Sequence, residues 1–260
     1  MAMSISPEVR MFFRDIKEHP DDDTPRLIFA DWLQEHGDAA TAARGEFLRL
    51  QVLRHCLAPD DPRYGLLKRR EGELFTEHCW TWLGPLADMA TWTFERGMLR
   101  FTARAEQVLT TEIDDWIRTE AGLWIDALTL TNVVAAQAHV FHLAHSSLAD
   151  HLNRLDLSDN LLRDNLCPLT WGHRLPFLTE LVLVHNRLRA NHIRSLAQRP
   201  FSRRLTLLDL RHNRLDDAAA RILTESPHLQ NLTALRVRHN HFTVDGIVLL
   251  RQAFGERVRF

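Results

Sequence analysis

The nine residues Leu205-Thr-Leu-Leu-Asp-Leu-Arg-His-Asn213 decide the fold of this chain, because their pattern, LxxLxLxxN, recurs at a nearly constant interval. Three further copies occupy residues 152–160, 178–186 and 232–240, the last with Val237 at the third apolar position. Successive closing asparagines are separated by 26, 27 and 27 residues. A repeat of this length predicts a stack of similar structural units, in which neighbours bury each other's apolar faces.

The spacers between the copies carry apolar residues at helical spacing, such as Ile193 with Leu196 and Ile247 with Leu250. Motif and spacer together resemble the leucine-rich repeat, and the spacing is similar to that of the ribonuclease-inhibitor-like subclass. The resemblance implies a short parallel strand at each LxL and a helix on the opposite, convex side. It also implies a structural role for the closing asparagines, which are Asn160, Asn186, Asn213 and Asn240.

Earlier repeats are degenerate. One period before the first clear copy, Leu128 and Leu130 occupy leucine positions, Val133 stands where asparagine is expected, and Asn132 comes one residue early. A weaker match to the repeat pattern at Leu99 and Phe101 predicts an edge strand. We therefore expect about five repeats over residues 91–260, forming an α/β solenoid with a parallel sheet on its concave side.

Residues 1–90 lack this period and predict a small α-helical domain that caps the solenoid. Ser6-Pro7 and Thr24-Pro25 are helix-start signals, and two further helices are expected around residues 45–51 and 66–82. Residues 19–37 and 44–51 resemble the repeat-companion domain, which precedes leucine-rich or other repeats in bacterial proteins. That resemblance implies association with repeat arrays and no established activity.

Composition narrows the function classes. The formal net charge of −2 and the pI near 6.7 disfavour nucleic acid as a partner. Apolar runs are too short for a membrane span, and the N-terminus does not resemble a secretory signal, so we expect a cytoplasmic protein without membrane contact. Cys56, Cys79 and Cys167 form no CxxC pair and are interpreted as reduced thiols.

Two clusters of polar residues raise the question of a metal site. The run Asp21-Asp22-Asp23 could bind a hard cation, but its place before Thr24-Pro25 favours a helix N-terminal role. His185, His212 and His239 each precede a closing asparagine, so stacked repeats should align them in a row. Tetrahedral zinc needs ligands that converge on one point, so the row is interpreted as part of a binding surface. We expect no metal and no cofactor.

The residues between the leucines should line the open face of the strands, where apolar side chains adjoin arginines. Such a mixture is typical of protein-binding patches and predicts non-catalytic recognition of a protein, for example a protease or signalling enzyme, although an ordinary solvated face remains an alternative. The candidate partner-binding residues are Val182, Val184, Leu207, Asp209, Arg211, His212, Arg236, Arg238 and His239.

No hydrolase, zinc-protease or phosphate-loop motif is present, so the chain is not expected to be an enzyme. The alternative is an enzyme subunit or regulator whose helical domain acts on targets that the repeats select. That alternative predicts a pocket lined by Asp31, Glu35 and His36.

Overall fold

The computed structural model describes residues 5–133, 136–162 and 175–260, so Cys167 lies outside the described residues. The chain divides into two compact units. Unit 1 comprises Met1–Phe101 with Asp115–Asp126, and unit 2 comprises Thr102–Asp114 with Ala127–Phe260.

Unit 1 is built mainly from helices. They are α1 (Pro7–Glu18), α2 (Thr24–His36), α3 (Ala39–His55), α4 (Pro62–Leu83) and α5 (Leu86–Met89). Both predicted start signals are confirmed: Ser6 Oγ accepts a hydrogen bond from Val9 N at 3.2 Å, and α2 begins at Thr24. The two helices expected around residues 45–51 and 66–82 lie within α3 and α4.

The aspartate run ahead of α2 has structural partners. The Asp22 carboxylate accepts a hydrogen bond from Thr24 N at 2.8 Å, at the start of the helix. The Asp23 carboxylate instead accepts from Arg96 Nε at 2.6 Å. Helix-terminal and ion-pair contacts therefore account for two of the three carboxylates.

An aromatic core joins the first helices of unit 1. The Phe13 ring lies 5.0 Å from the Phe29 ring and 4.8 Å from the Trp124 ring, in edge-to-face contact with both. Leu33 and Leu48 are buried in the same cluster. The contacts bring α1, α2 and α3 together with Trp124, which lies far along the chain.

In the part of the chain that the structure describes, eight strands follow chain order in one sheet. They are β1 (Thr91–Glu95), β2 (Met98–Arg104), β3 (Ile125–Thr131), β4 (Arg154–Asp156), β5 (Glu180–Val182), β6 (Leu207–Asp209), β7 (Ala234–Arg236) and β8 (Val258–Arg259). From β3 to β8 every neighbouring pair is parallel.

The first pair of strands corrects the prediction of a parallel sheet. Only Arg96 and Gly97 separate β1 from β2, and a two-residue connection permits antiparallel pairing alone. The sheet is therefore mixed. Leu99 and Phe101 do lie in a strand, β2, but β2 has an antiparallel neighbour that the repeat pattern could not indicate.

Shorter helices lie along the chain between β2 and β4. They are α6 (Ala105–Val108), α7 (Thr111–Ile117), α8 (Glu120–Leu123) and α9 (Ala136–His145), followed by a 3-10 turn at Ser147–Asp150. The later repeats contain α10 (Ala190–Ala197), α11 (Asp217–Glu225) and α12 (Val244–Phe254), with 3-10 turns at Pro200–Arg204 and Gly255–Arg257. The predicted spacer helices are confirmed, and each of the last three buries an apolar face.

The closing asparagines form a ladder between repeats. Asn213 Oδ1 accepts from the backbone N–H groups of Asn186 and Leu188 at 3.1 and 2.9 Å. Its Nδ2 donates to the Leu183 carbonyl of the preceding repeat at 2.8 Å. Asn186 bonds the repeat before it in the same way, which confirms the structural role predicted for these residues.

Within the described ranges, no helix combines the length and the hydropathy that crossing a bilayer requires.

Candidate functional site

The strand face, as we call it, consists of the side chains that alternate with the buried leucines on β4 to β7. Strand alternation turns these side chains away from the leucine side. Parallel register aligns them in two rows across the sheet. The rows are Arg154, Glu180, Leu207 and Ala234, and beside them Asp156, Val182, Asp209 and Arg236. Ser158, Val184, Arg211 and Arg238 continue the alternation just beyond the strands.

Opposite charges pair at the β4 side of the strand face. Arg154 forms an ion pair with Glu180 on the neighbouring strand, and its other terminal nitrogen lies 3.6 Å from the Asp156 carboxylate. One arginine thus faces two carboxylates, so this side keeps an excess of negative charge.

The β6–β7 side is basic. Asp209 is only 1% exposed, and its carboxylate lies 2.8 Å from Arg211 Nη2 and 3.4 Å from Arg236 Nη1. Both arginine side chains remain 41% exposed, and Arg238 is exposed as well. Three arginines against one carboxylate leave an excess of positive charge. Asp209, which sequence reasoning placed among the contact residues, lies beneath the surface and holds two of them in place.

The apolar part of the face is smaller than the sequence indicates. Val182 is only 5% exposed, whereas Val184 and Leu207 are half-buried. Leu207 lies in β6, in register with Ala234 of β7. The apolar area that a partner could contact therefore comes from Val184 and Leu207.

The predicted histidine row is present and has a backbone cause that the sequence did not reveal. The rings of His185, His212 and His239 stack with centroids 4.2 Å apart in both pairs. All three residues have positive φ angles, of 56°, 55° and 58°, and Asn132 and Asp159 occupy the same position in earlier repeats with 55° and 60°. Asn, Asp and His are the non-glycine residues that best tolerate this conformation, so the turn explains the residue type.

The histidine row also has a defined electrostatic environment. Partial desolvation lowers the pKa of His212, and the neighbouring His185 and His239, with Arg211 and Arg238, lower it further. Over residues 5–133, 136–162 and 175–260 no group of three or more His, Cys, Asp or Glu side chains is arranged to hold a metal ion.

The residues proposed for a catalytic pocket in the helical domain line neither of the two cavities described there. Asp31, Glu35 and His36 are all exposed. Asp31 pairs with Arg49, and the His36 ring stacks on Trp32 with its Nδ1 3.1 Å from the Trp32 carbonyl oxygen.

A cavity of about 280 Å³ does exist in unit 1, with a lining that sequence reasoning missed. Arg44 lies on it between Trp82 and Trp124. The only signal in the sequence is an arginine that shares one face of α3 with the buried residues Phe47 and Leu48.

One comparison with known proteins bears on the class of the chain. A family model described as "Leucine Rich repeat" matches residues 228–250, which contain β7, His239 and the first part of α12. No curated protein matches the chain in sequence. The chain therefore contains a leucine-rich repeat, a motif that generally mediates protein–protein interaction.

Proposed function

We propose that this protein recognises another protein through the strand face and catalyses no reaction itself. The observation that carries the proposal is the pair Arg211 and Arg236, which the buried Asp209 carboxylate holds on the same face as the half-buried Leu207. Arginines that are already positioned lose less conformational entropy on binding, and arginine beside an apolar side chain is common at the energetic centres of interfaces.

Charge indicates the kind of surface that would fit. Arg211, Arg236 and Arg238 outnumber the single carboxylate of Asp209, so we expect the complementary patch to be acidic. A protease or a signalling enzyme that the protein regulates is the class of partner we favour. We place this recognition in the cytoplasm, where the exposed thiol of Cys56 would stay reduced.

The architecture supports a scaffold role for the remainder of the chain. We infer that the repeats form a short solenoid of the ribonuclease-inhibitor-like kind, and that unit 1 is a repeat-companion domain of bacterial type. The asparagine ladder and the parallel pairing from β3 to β8 support the first inference. The helix order of α1 to α4 is compatible with the second.

The test uses the full chain with a substitution on the face and a matched one elsewhere. Arg238→Glu reverses an exposed charge on the strand face, and Arg194→Glu makes the same change on the exposed side of α10. Ala234→Phe adds bulk next to Leu207 without changing the charge. Proteins that co-purify with each immobilised variant from the native cell would be quantified by mass spectrometry.

We expect one protein to be retained by the unsubstituted chain and by Arg194→Glu, and to be reduced at least tenfold by Arg238→Glu and by Ala234→Phe. Equal retention by all four proteins would exclude the strand face as the binding surface.

A further inference from the structure

The Arg44 guanidinium of unit 1 is surrounded by aromatic rings and almost completely buried. The residue is 4% exposed. Its central carbon lies within cation–π distance of four ring centroids, at 4.1 Å from Trp124, 4.6 Å from Trp82, 4.7 Å from Phe94 and 5.5 Å from Phe47. Ring faces attract a cation but cannot accept its in-plane N–H bonds as an oxygen atom does.

Most of the hydrogen-bonding capacity of this guanidinium is unused among the described residues. Nη2 donates to the Gly97 carbonyl at 3.1 Å. Nε and Nη1 are buried and have no acceptor among the residues that the structure describes. Burial lowers the pKa of Arg44 to about 9. A buried cation without an anionic partner is costly, so it is a poor choice for a purely structural position.

A cavity adjoins this residue. Its volume is about 280 Å³, and Arg44 lines it together with Leu33, Trp82, Glu120 and Trp124. Trp82 and Trp124 therefore contact the guanidinium and also form walls of the cavity. The cavity is close to the lower end of the usual size range for small-molecule sites, and its lining is mostly apolar with a few polar groups, as such sites generally are.

The other charged groups of the lining restrict the ligand further. The Asp38 carboxylate accepts a hydrogen bond from Thr41 N at 2.9 Å and so belongs to the start of α3. Burial raises the pKa of Glu120. A highly charged anion would be repelled by these carboxylates, whereas a single carboxylate on an apolar body would meet Arg44 at one end only.

We propose that this cavity binds a small organic monocarboxylate. Its oxygen atoms accept the free N–H bonds of Arg44, and its apolar body, most favourably a planar ring, lies against Trp82 and Trp124. Arginine is well suited to carboxylates because its donors lie in one plane and match the spacing of the two carboxylate oxygens. The site shares no residue with the strand face and does not depend on the function proposed for that surface.

The test titrates benzoate into the full chain and compares it with benzamide, which has nearly the same shape without the charge. Labelling the indole nitrogens with ¹⁵N gives one signal for each of the seven tryptophans. We expect benzoate to shift the Trp82 and Trp124 signals saturably, with a Kd of about 1 mM or tighter for a ligand of this size. Benzamide should bind at least tenfold more weakly, and inorganic phosphate should leave the signals unchanged.

Variants keep the test decisive even if replacing Arg44 prevents folding. Ala40→Phe fills the cavity without altering Arg44, and Ala58→Phe makes the same change at an exposed position outside it. Ala40→Phe should abolish the benzoate shifts, and Ala58→Phe should retain them. The proposal is overturned if benzoate at about 50 mM shifts neither signal, if benzamide binds as well as benzoate, or if Ala40→Phe binds benzoate normally.

Discussion

Arg211 Nη2 lies 2.8 Å from the carboxylate of Asp209, and the same carboxylate is almost entirely buried beneath the strand face. Arg236 approaches it from the next strand at 3.4 Å. The hydrogen bonds to Asp209 raise the pKa of Arg211. These two arginines therefore pair with a buried carboxylate and are also partly exposed, whereas Arg238 is simply exposed.

Charge reversal should accordingly have different effects along the face. Arg211→Glu places a second carboxylate beside the buried one and removes its partner, so we expect a loss of about 1 to 3 kcal/mol in the free energy of unfolding. Arg238→Glu should change it by less than about 0.5 kcal/mol. Urea unfolding of both variants at one salt concentration measures the difference, and equal values would contradict the role assigned to Asp209.

The asparagine ladder makes a graded prediction. Asn213 is buried and bonds two amides and three carbonyls, whereas Asn240 is partly exposed and bonds one amide and two carbonyls. Asn213→Ala should cost about 2 to 4 kcal/mol because it leaves buried backbone groups without partners. Asn240→Ala should lower the free energy of unfolding clearly less, because Asn240 is partly exposed and makes fewer hydrogen bonds. Urea unfolding ranks the two, and hydrogen exchange should accelerate at the Asn186 and Leu188 amides in Asn213→Ala only.

The sequence predicts the ladder because each LxxLxLxxN position has a local cause that repeats along the chain. Leucines must be buried, and a closing asparagine must satisfy backbone groups where the strand ends. The antiparallel β1–β2 pair is not predictable in this way, since it depends on a single two-residue turn at Arg96 and Gly97.

Long-range contacts explain what the sequence did not indicate about the sites. Asp209 alternates with leucines like any exposed residue, and its burial is seen only in the structure, where Arg211 and Arg236 pair with it. The rings around Arg44 come from α3, α4, β1 and Trp124, up to 80 residues away in the chain. No local pattern connects such residues.

The histidine row should tolerate substitutions according to backbone conformation. His185 has a φ of 56°, which asparagine adopts readily and a β-branched residue does not. Both His185→Asn and His185→Val remove the stacking on His212. The difference between their free energies of unfolding therefore reports the backbone conformation alone. We expect the valine variant to be about 1 to 2 kcal/mol less stable than the asparagine variant in urea unfolding. Similar stabilities would mean that this turn is not under steric constraint.

Two glycines of unit 1 should respond to alanine in opposite directions. Gly97 has a φ of +81°, and a Cβ there would lie 2.1 Å from Leu48 Cδ1, so Gly97→Ala should cost at least about 2 kcal/mol. Gly65 lies inside α4 with open space around it, and Gly65→Ala should stabilise the protein by about 0.5 to 1 kcal/mol. Thermal unfolding of both variants is the measurement. A lower stability of Gly65→Ala would contradict the helical conformation assigned to this position.

Lys17 should make the stability of the protein depend on pH in the alkaline range. Burial lowers its pKa to about 8, although the nearby Asp126 carboxylate opposes the shift, and the ammonium group donates to the Ile125 carbonyl. Below about pH 8 Lys17 is charged in the folded protein, so the burial of this charge lowers the free energy of unfolding by its full amount.

Between about pH 8 and the ordinary lysine value of about 10.5, the unfolded chain holds this proton while the folded chain releases it. Stability therefore gains from Lys17 as pH rises through this window, by an amount on the order of 3 kcal/mol. Lys17→Met should remove that gain, so its stability relative to the unsubstituted protein should fall between pH 7 and pH 10. Urea unfolding at both pH values tests the change, with Lys68→Met as the exposed lysine control. An identical pH dependence in Lys17→Met and the unsubstituted protein would show that the buried ammonium group does not titrate in this window.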